Sequence, residues 1–283
     1  MDQPDTFPSR IVCLTEETTE TLYLLGEDAR IVGVSGYTVR PPEARKKPKV
    51  SAFITARYDK ILDLEPDLVL AFSDLQADVV RELIRLGLNV FTFNQRGVSE
   101  IITMISTLAR IVGVPERGDT LVQELRKDLD AVRASSSHFD RRPRVFFEEW
   151  KDPLISGIRW VEELIEIAGG EPVFPDLRNH QAASDRIVDP TRVIEANPEI
   201  IIGSWCGRKV NKDAIASREG WDAIDAVQSR HIYEIKSAHI LQPGPGALTE
   251  GLLQLHRIIA HVVGARPPTT LSPAEPIDPD VDR

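Results

Sequence analysis

One stretch of the chain occurs twice. Residues Asp59–Phe72 (DKILDLEPDLVLAF) align without a gap with residues Thr191–Ser204 (TRVIEANPEIIIGS). In each copy a short amphipathic helical pattern stops before a proline, which disfavours helical geometry in the residue before it, and a continuous apolar run follows. A weaker repeat pairs the apolar run that starts at Arg10 with the run that starts at Arg144. Two repeats in the same order predict a chain of two similar lobes.

The apolar runs predict the strands. Short runs rich in β-branched residues alternate with helical patterns, and their lack of polar alternation is typical of strands covered on both faces. The predicted strands are Arg10–Leu14, Ile31–Val34, Leu68–Phe72, Val90–Phe93, Arg144–Phe147, Ile200–Gly203 and Ile232–Ile235. This alternation indicates an α/β fold, in which each lobe has a mainly parallel sheet flanked by helices.

A long helix is predicted between the lobes. Pro115 suits a helix start, and Leu121, Leu125, Leu129 and Val132 recur at helical spacing. Roughly 22 residues at 1.5 Å each give a rod of about 33 Å, which would join the lobes with limited hinge motion. We therefore expect an N-terminal lobe over residues 1–114, the helix over 115–140 and a C-terminal lobe over 141–264. Residues 265–283 are rich in proline and acid and are expected to be disordered.

Composition argues against several classes of protein. A net charge of −10 and a pI near 5.2 disfavour a nucleic-acid surface or an anionic membrane surface. No apolar run approaches the roughly 18–20 residues of a membrane span. The first residues lack the basic and apolar regions of a secretory signal, so a cytoplasmic location stays open. The spacing of Cys13 and Cys206 suits neither a disulfide framework nor a metal site, and no metal or cofactor is expected.

Taken together, the ordered segments resemble the substrate-binding proteins of cobalamin and iron-siderophore ABC transporters. The resemblance runs from about Arg10 to Val263, through segments such as LDLEPDLVLAF, PLISGIRWVEELIEIAGG and ANPEIIIGSW. Within that family, VSGYTVRPPEA and LISG are closer to the cobalamin branch. The resemblance implies two lobes joined by one long helix, cobalamin held in the cleft between them, a partner permease, a periplasmic or extracellular location and a monomer.

The predicted strand ends give the candidate ligand contacts. In open parallel sheets, ligands bind at the carboxyl ends of the strands, and flat aromatic side chains suit a broad corrin ring. The aromatic candidates near these ends are Tyr37, Phe53, Phe72, Trp150, Trp160 and Trp205. The resemblance places Tyr37, Phe53 and Phe72 at aromatic contact positions, although two of them are phenylalanine where the family member compared has tryptophan. For each aromatic residue the alternative is a place in the core of its lobe.

Polar candidates complete the predicted site. Glu149 and Arg208 follow predicted strands, and Gln242 opens a Pro-Gly-Pro-Gly segment that resembles a loop beside the family's ligand. His239 is a candidate axial ligand, since neutral imidazole binds cobalt or iron. The family docks to its transporter through one carboxylate on each lobe. Asp59 and, more loosely, Asp222 are the nearest matches, and the alternative is that both are ordinary solvated acids at helix starts.

Three other functions remain as alternatives. An enzyme is disfavoured because the chain has no nucleophile elbow, phosphate-binding loop or zinc-protease motif. A binder of ferric siderophore or haem would use arginines such as Arg40, Arg57, Arg96, Arg159 and Arg208, and its affinity should fall with salt. A cytoplasmic corrinoid carrier or sensor would have the same fold without docking to a transporter.

Overall fold

The computed structural model describes residues 7–265, which form two compact units. Unit 1 comprises residues 7–95, 99–124 and 243–245, and unit 2 comprises residues 96–98, 125–242 and 246–265. Each unit therefore contains a three-residue segment from the other half of the chain, which the contiguous domains expected from the sequence do not include. Apart from Ala265, the tail expected to be disordered lies outside the described residues.

Unit 1 is built on a parallel sheet. Its strands are β1 (Ile11–Cys13), β2 (Ile31–Ser35), β3 (Lys49–Ser51), β4 (Leu68–Phe72) and β5 (Val90–Phe93). They lie in the order β3-β2-β1-β4-β5, and every neighbouring pair is parallel. The helices that follow these strands are α1 (Glu16–Leu24), α2 (Tyr58–Asp63), α3 (Ala77–Arg85) and α4 (Val98–Ile111). Fully buried residues of β1 and β4 pack against α3 and form the core.

The predicted long helix is continuous. It is α5 (Pro115–Ser136), with 22 residues, and the boundary between the two units falls within it, after Glu124. No helix within residues 7–265 combines the length and the apolar character that crossing a bilayer requires.

Unit 2 has a mixed sheet with a parallel centre. Its strands are β6 (Arg144–Lys151), β7 (Leu154–Ser156), β8 (Glu171–Pro172), β9 (Ile200–Gly203) and β10 (Ile232–Glu234). The order is β10-β9-β6-β7, with β8 also paired to β6, and only β6 and β7 are antiparallel. The helices are α6 (Arg159–Ala168), α7 (Pro190–Ala196), α8 (Lys212–Ala216), α9 (Asp225–Gln228), α10 (Ser237–Ile240) and α11 (Leu252–Val262). The mainly parallel α/β fold predicted from the sequence is confirmed.

Pairing between strands sets strand bounds that the apolar runs do not predict. Every predicted strand is present, but β6 continues past Phe147 to Lys151 because β7 pairs with Glu148–Lys151. The short strands β3, β7 and β8 were not predicted, since two or three residues carry no periodicity of their own. The segment after Gly246 begins with a π-helical turn, Ala247–Gly251, that runs into α11.

The sequence repeat is also a structural repeat. After α2, Glu65 takes a left-handed conformation (φ 45°) before Pro66, and after α7 the aligned Asn197 does the same (φ 41°) before Pro198. Such a residue ends a helix and turns the chain. Strands β4 and β9 begin two residues after each proline.

The acid after each proline binds the start of the neighbouring strand. Asp67 accepts hydrogen bonds from the backbone N–H groups of Ser9 (2.7 Å) and Arg10 (3.0 Å), and Glu199 accepts one from the backbone of Arg144 (3.0 Å). The Nε atom of Arg10 donates to the Glu65 carbonyl (3.0 Å), and that of Arg144 donates to the Asn197 carbonyl (2.9 Å). The same bonds therefore fix β1 beside β4 and β6 beside β9.

We expect Asp67→Ala to lower the free energy of unfolding by about 1–2 kcal/mol, because several hydrogen bonds to one carboxylate are lost. Asp63→Ala, which removes another exposed carboxylate near the end of α2, is the control. Urea denaturation of both variants measures the difference. Equal stability of the two variants would contradict an anchoring role for Asp67.

Candidate functional site

In unit 1, exposed apolar side chains lie just beyond the carboxyl ends of the strands. Tyr37, after β2, is 57% exposed, and Phe53, after β3, is 38% exposed. Two further residues were missed by the sequence analysis: Ile54, after β3, is 61% exposed, and Leu75, after β4, is 51% exposed. We call Tyr37, Phe53, Ile54 and Leu75 the apolar face of unit 1. An aliphatic residue in a loop carries no periodic signal, so only the structure identifies the last two.

Gln76 holds two loops of the apolar face together. Its side-chain oxygen accepts the backbone N–H of Phe72 (2.9 Å), and its side-chain nitrogen donates to the Phe53 carbonyl (2.7 Å). The Gln76 side chain is buried, so its bond to the Phe72 N–H is shielded from water. The backbone after β3 is thereby fixed to the end of β4.

Three of the predicted aromatic contacts lie in the interior of their units. Phe72 is 4% exposed, and Trp160 and Trp205 are each 3% exposed. The indole nitrogen of Trp160 donates to the Ile240 carbonyl (2.8 Å), and that of Trp205 donates to Glu148 (3.0 Å). In this conformation these rings pack in the core and offer a ligand little surface.

The acids of β6 are each paired with an arginine. Glu148 is fully buried and accepts two hydrogen bonds from Arg218, at 2.6 and 2.8 Å. Glu149 binds the buried Arg186 at 2.6 Å. The predicted strand ended at Phe147, which would place both acids after it. In the structure both acids lie within β6. The carboxylate of Glu149, a predicted ligand contact, is therefore already engaged.

A cationic patch lies beside Trp150 in unit 2. Trp150 is half-buried, and its indole nitrogen donates to the Asp152 carbonyl (2.9 Å). The exposed guanidinium of Arg208 lies over the Trp150 ring, 5.6 Å from its centroid, and Lys151 lies 5.2 Å from the Trp205 centroid. Arg208 has no ion-pair partner among the described residues. This stacked guanidinium can meet an anionic or carbonyl group of a ligand.

The remaining predicted contacts are half-buried. His239 lies in α10, and its Nδ1 atom shares a hydrogen bond with the Gln254 side chain (3.0 Å). Gln242 directly precedes the Pro243–Pro245 segment of unit 1. Within residues 7–265, no group of three or more His, Cys, Asp or Glu side chains is arranged to hold a metal ion.

The two predicted docking acids do not lie on equivalent elements. Asp59 is exposed in the first turn of α2, and the repeat aligns it with Thr191 in the first turn of α7. Asp222 is exposed but belongs to a separate 3-10 turn, Trp221–Ala223. The acid in the first turn of α2 therefore has no acidic counterpart in the first turn of α7.

A groove of about 630 Å³ lies along α3. It is lined by Ser73, Asp74, Ala77, Val80, Arg81, Ile84, Arg85, Thr92 and Asn94. None of the predicted contacts lines this groove. Ser73 and Asp74 directly follow β4, and Asn94 directly follows β5, so the groove begins at the carboxyl ends of these two strands, where parallel sheets bind ligands.

Two buried carboxyl groups have strongly shifted pKa values. Burial raises the pKa of Glu17, in α1, to about 8, and burial raises that of Glu162, in α6, to about 8 although Arg178 opposes the shift. Each of these glutamates packs against a glycine, and the missing side chain of the glycine leaves space for it. A Cβ atom at Gly244 would lie only 2.5 Å from the Cβ of Glu17. One at Gly157 would lie 2.4 Å from Oε1 of Glu162. Both groups are mainly protonated at neutral pH.

The chain is similar to known binding proteins along most of its length. A family model for periplasmic binding proteins matches residues 11–239. An uncharacterized ABC transporter substrate-binding lipoprotein of Bacillus subtilis is 27% identical over 257 residues, which is 88% of this chain and 79% of the relative. A vitamin B12-binding protein of Vibrio parahaemolyticus is 26% identical over 242 residues, 84% of this chain and 85% of the relative.

Solved structures share the fold. The periplasmic vitamin B12-binding protein of Vibrio cholerae superposes with a TM-score of 0.73 at 23% identity, covering 90% of this chain and 98% of that one. A periplasmic haem-binding protein of Pseudomonas aeruginosa superposes with a TM-score of 0.77 at 18% identity, covering 93% and 96%. At these identities the likeness concerns the fold alone.

The shifted carboxyl groups predict a pH-dependent stability. A pKa raised in the folded state adds stability that is complete below the ordinary value of 4.5 and is lost as pH rises to about 8. From pH 6.5 to 8 the free energy of unfolding should therefore fall, by up to about 1.4 kcal/mol per pH unit for each group. Burial lowers the pKa of His256, so its contribution makes the free energy of unfolding rise with pH, and it does so below pH 6.5.

Glutamine cannot ionise, so Glu17→Gln and Glu162→Gln should each flatten this slope in denaturation curves recorded at several pH values. Glu116→Gln, on the exposed side of α5, is the control and should keep the wild-type slope. A wild-type stability that rises over this window would show that neither carboxyl group titrates as described.

Proposed function

This chain belongs to the periplasmic binding protein family, and we propose that it binds cobalamin at the strand-end faces of its units. The observation that carries the proposal is the apolar face of unit 1. Large apolar side chains cost free energy when exposed to water, and exposed apolar groups gathered in one region are typical of binding sites. Here they follow β2, β3 and β4 at the edge where parallel sheets bind ligands.

The size and chemistry of a corrin fit this face. A corrin is a broad disc, mostly apolar and fringed with amides, so it gains most from flat and aliphatic surfaces. Tyr37 and Phe53 supply rings and Ile54 and Leu75 supply aliphatic surface. Relatives named as vitamin B12-binding proteins, matched along most of this chain, support the same ligand.

Haem or another ferric complex is the second candidate, because of Arg208. A guanidinium stacked on Trp150 without an ion-pair partner among the described residues suits the carboxylates of haem or of a ferric siderophore better than a neutral amide fringe. Structures of haem-binding proteins share the fold. The apolar face serves either ligand, whereas Arg208 distinguishes between them.

We also propose delivery of the ligand to an ABC transporter permease, as the lipoprotein relative suggests. Of the two predicted acids, Asp59 is the better placed for that contact, since it is exposed in the repeated helix α2. Asp222 is the weaker candidate because its element is not repeated. Fractionation of cells that make the full-length protein separates an exported binding protein from a cytoplasmic corrinoid carrier.

The apolar face is tested by calorimetry with cyanocobalamin. Ile54→Ala and Leu75→Ala should each weaken binding about tenfold, since an apolar side chain covered by a ligand contributes roughly 1–2 kcal/mol. Ile84→Ala and Leu86→Ala are matched controls, because these residues are 58% and 39% exposed in the same unit but lie at the far end of α3. Equal effects at both ends of the unit would contradict the proposed face.

The affinities of the Arg208→Gln variant for haemin and for cyanocobalamin distinguish between the two candidate ligands. If the ligand is haemin, this variant should bind it about tenfold more weakly and with less dependence on salt, because one charge-assisted bond is lost. Cyanocobalamin affinity should stay within about twofold, since the corrin ring of this ligand carries neutral amide side chains and no carboxylates. Lys212→Gln, which also removes one cation from unit 2, is the control. Tight binding of haemin with no binding of cyanocobalamin would overturn cobalamin as the ligand.

A further inference from the structure

The loop that carries Tyr37 is fastened on both sides of that residue by glutamates of α1. Before Tyr37, the Ser35 hydroxyl donates to Oε1 of Glu16 (3.0 Å). After Tyr37, two nitrogens of Arg40 donate to Oε1 of Glu20, at 3.1 and 3.0 Å. The two glutamates are four residues apart and so lie on one face of the helix.

The Ser35 hydroxyl also binds the backbone of Tyr37 itself. Its oxygen accepts the backbone N–H of Tyr37 (3.1 Å) while its proton is directed at Glu16. Gly36, which lies between Ser35 and Tyr37, donates its backbone N–H to the Ser51 carbonyl at the end of β3 (2.7 Å). The backbone of Tyr37 is therefore fixed at several points, while its side chain is 57% exposed.

This arrangement is costly for a helix. Glu16 and Glu20 are 7% and 9% exposed, and burial raises the pKa of Glu16. Removing two neighbouring carboxylates from water costs free energy, and apolar residues of similar size would often be at least as stable there. A purely structural role does not account for two acids directed at one short loop. A role in fixing the loop does.

We propose that Glu16 and Glu20 are positioning residues that hold the Ser35–Arg40 loop so that the Tyr37 ring is presented to the ligand. The proposal rests on the proposed function, since it takes Tyr37 as a ligand contact. It adds that the ring is oriented before the ligand arrives, which lowers the entropy lost on binding.

The test uses Ser35→Ala, which breaks the link to Glu16, and Glu20→Ala, which breaks the link to Arg40. Glu82→Ala removes a glutamate from an exposed pair with Arg85 in the same unit and is the control. Hydrogen exchange is measured without ligand at the Tyr37 and Thr38 amides. It should accelerate about fivefold in the first two variants and stay unchanged in the control. Ser35→Ala removes the side-chain acceptor of the Tyr37 amide, and Glu20→Ala releases the Arg40 end of the loop. Glu20→Gln, which keeps the shape and one acceptor, should fall between wild type and Glu20→Ala.

Calorimetry with cyanocobalamin, or with haemin if that is the ligand bound, completes a double-mutant cycle. Glu20→Ala and Tyr37→Ala should each weaken binding about tenfold, and the double variant should be little weaker than Tyr37→Ala alone. Fully additive losses, or unchanged exchange in the variants, would overturn the positioning role. If neither ligand binds the wild-type protein, the proposed function fails, while the exchange experiment still decides whether the glutamates hold the loop.

Discussion

In each unit, the acid that directly follows the proline of the repeat accepts a backbone N–H hydrogen bond from the start of the central strand. Asp67 binds the start of β1, and Glu199 binds the start of β6. Ile11 then lies opposite Leu68, and Val145 lies opposite Ile200. A slip by one residue would turn every side chain of a strand to the opposite face, so these few bonds fix which residues reach the core and where each strand ends. The loops that carry the candidate site leave from those ends.

On this shared frame the two units carry different chemistry. In unit 1 the loops after the strands expose apolar side chains such as Ile54 and Leu75. In unit 2 the corresponding region of β6 is charged, with Glu148 and Glu149 neutralised by arginines and Arg208 left over the Trp150 ring. Unit 1 therefore offers a ligand apolar surface, and unit 2 offers it a stacked guanidinium.

Carboxyl groups are buried near the starts of α1 and α6. Glu16 and Glu20 bind the loop of Tyr37, while Glu17 and Glu162 remain mainly protonated in space left by glycines. Burial of such groups lowers the stability of a helix unless other contacts compensate. In α1, the hydrogen bonds of Glu16 and Glu20 to the loop of Tyr37 supply such contacts.

The sequence by itself determined the α/β fold, the long helix and the repeat, because apolar runs, helical spacing and Pro66 and Pro198 are local signals. It also placed Tyr37 just after β2, whereas β3, the strand that precedes Phe53, was not predicted. Only the tertiary structure decided that Phe72, Trp160 and Trp205 pack inside, that β6 extends to Lys151, and that Ile54 and Leu75 are exposed. Burial and pairing depend on residues distant in the chain, such as Gln76 with Phe53 or Trp205 with Glu148, and no local pattern records those contacts.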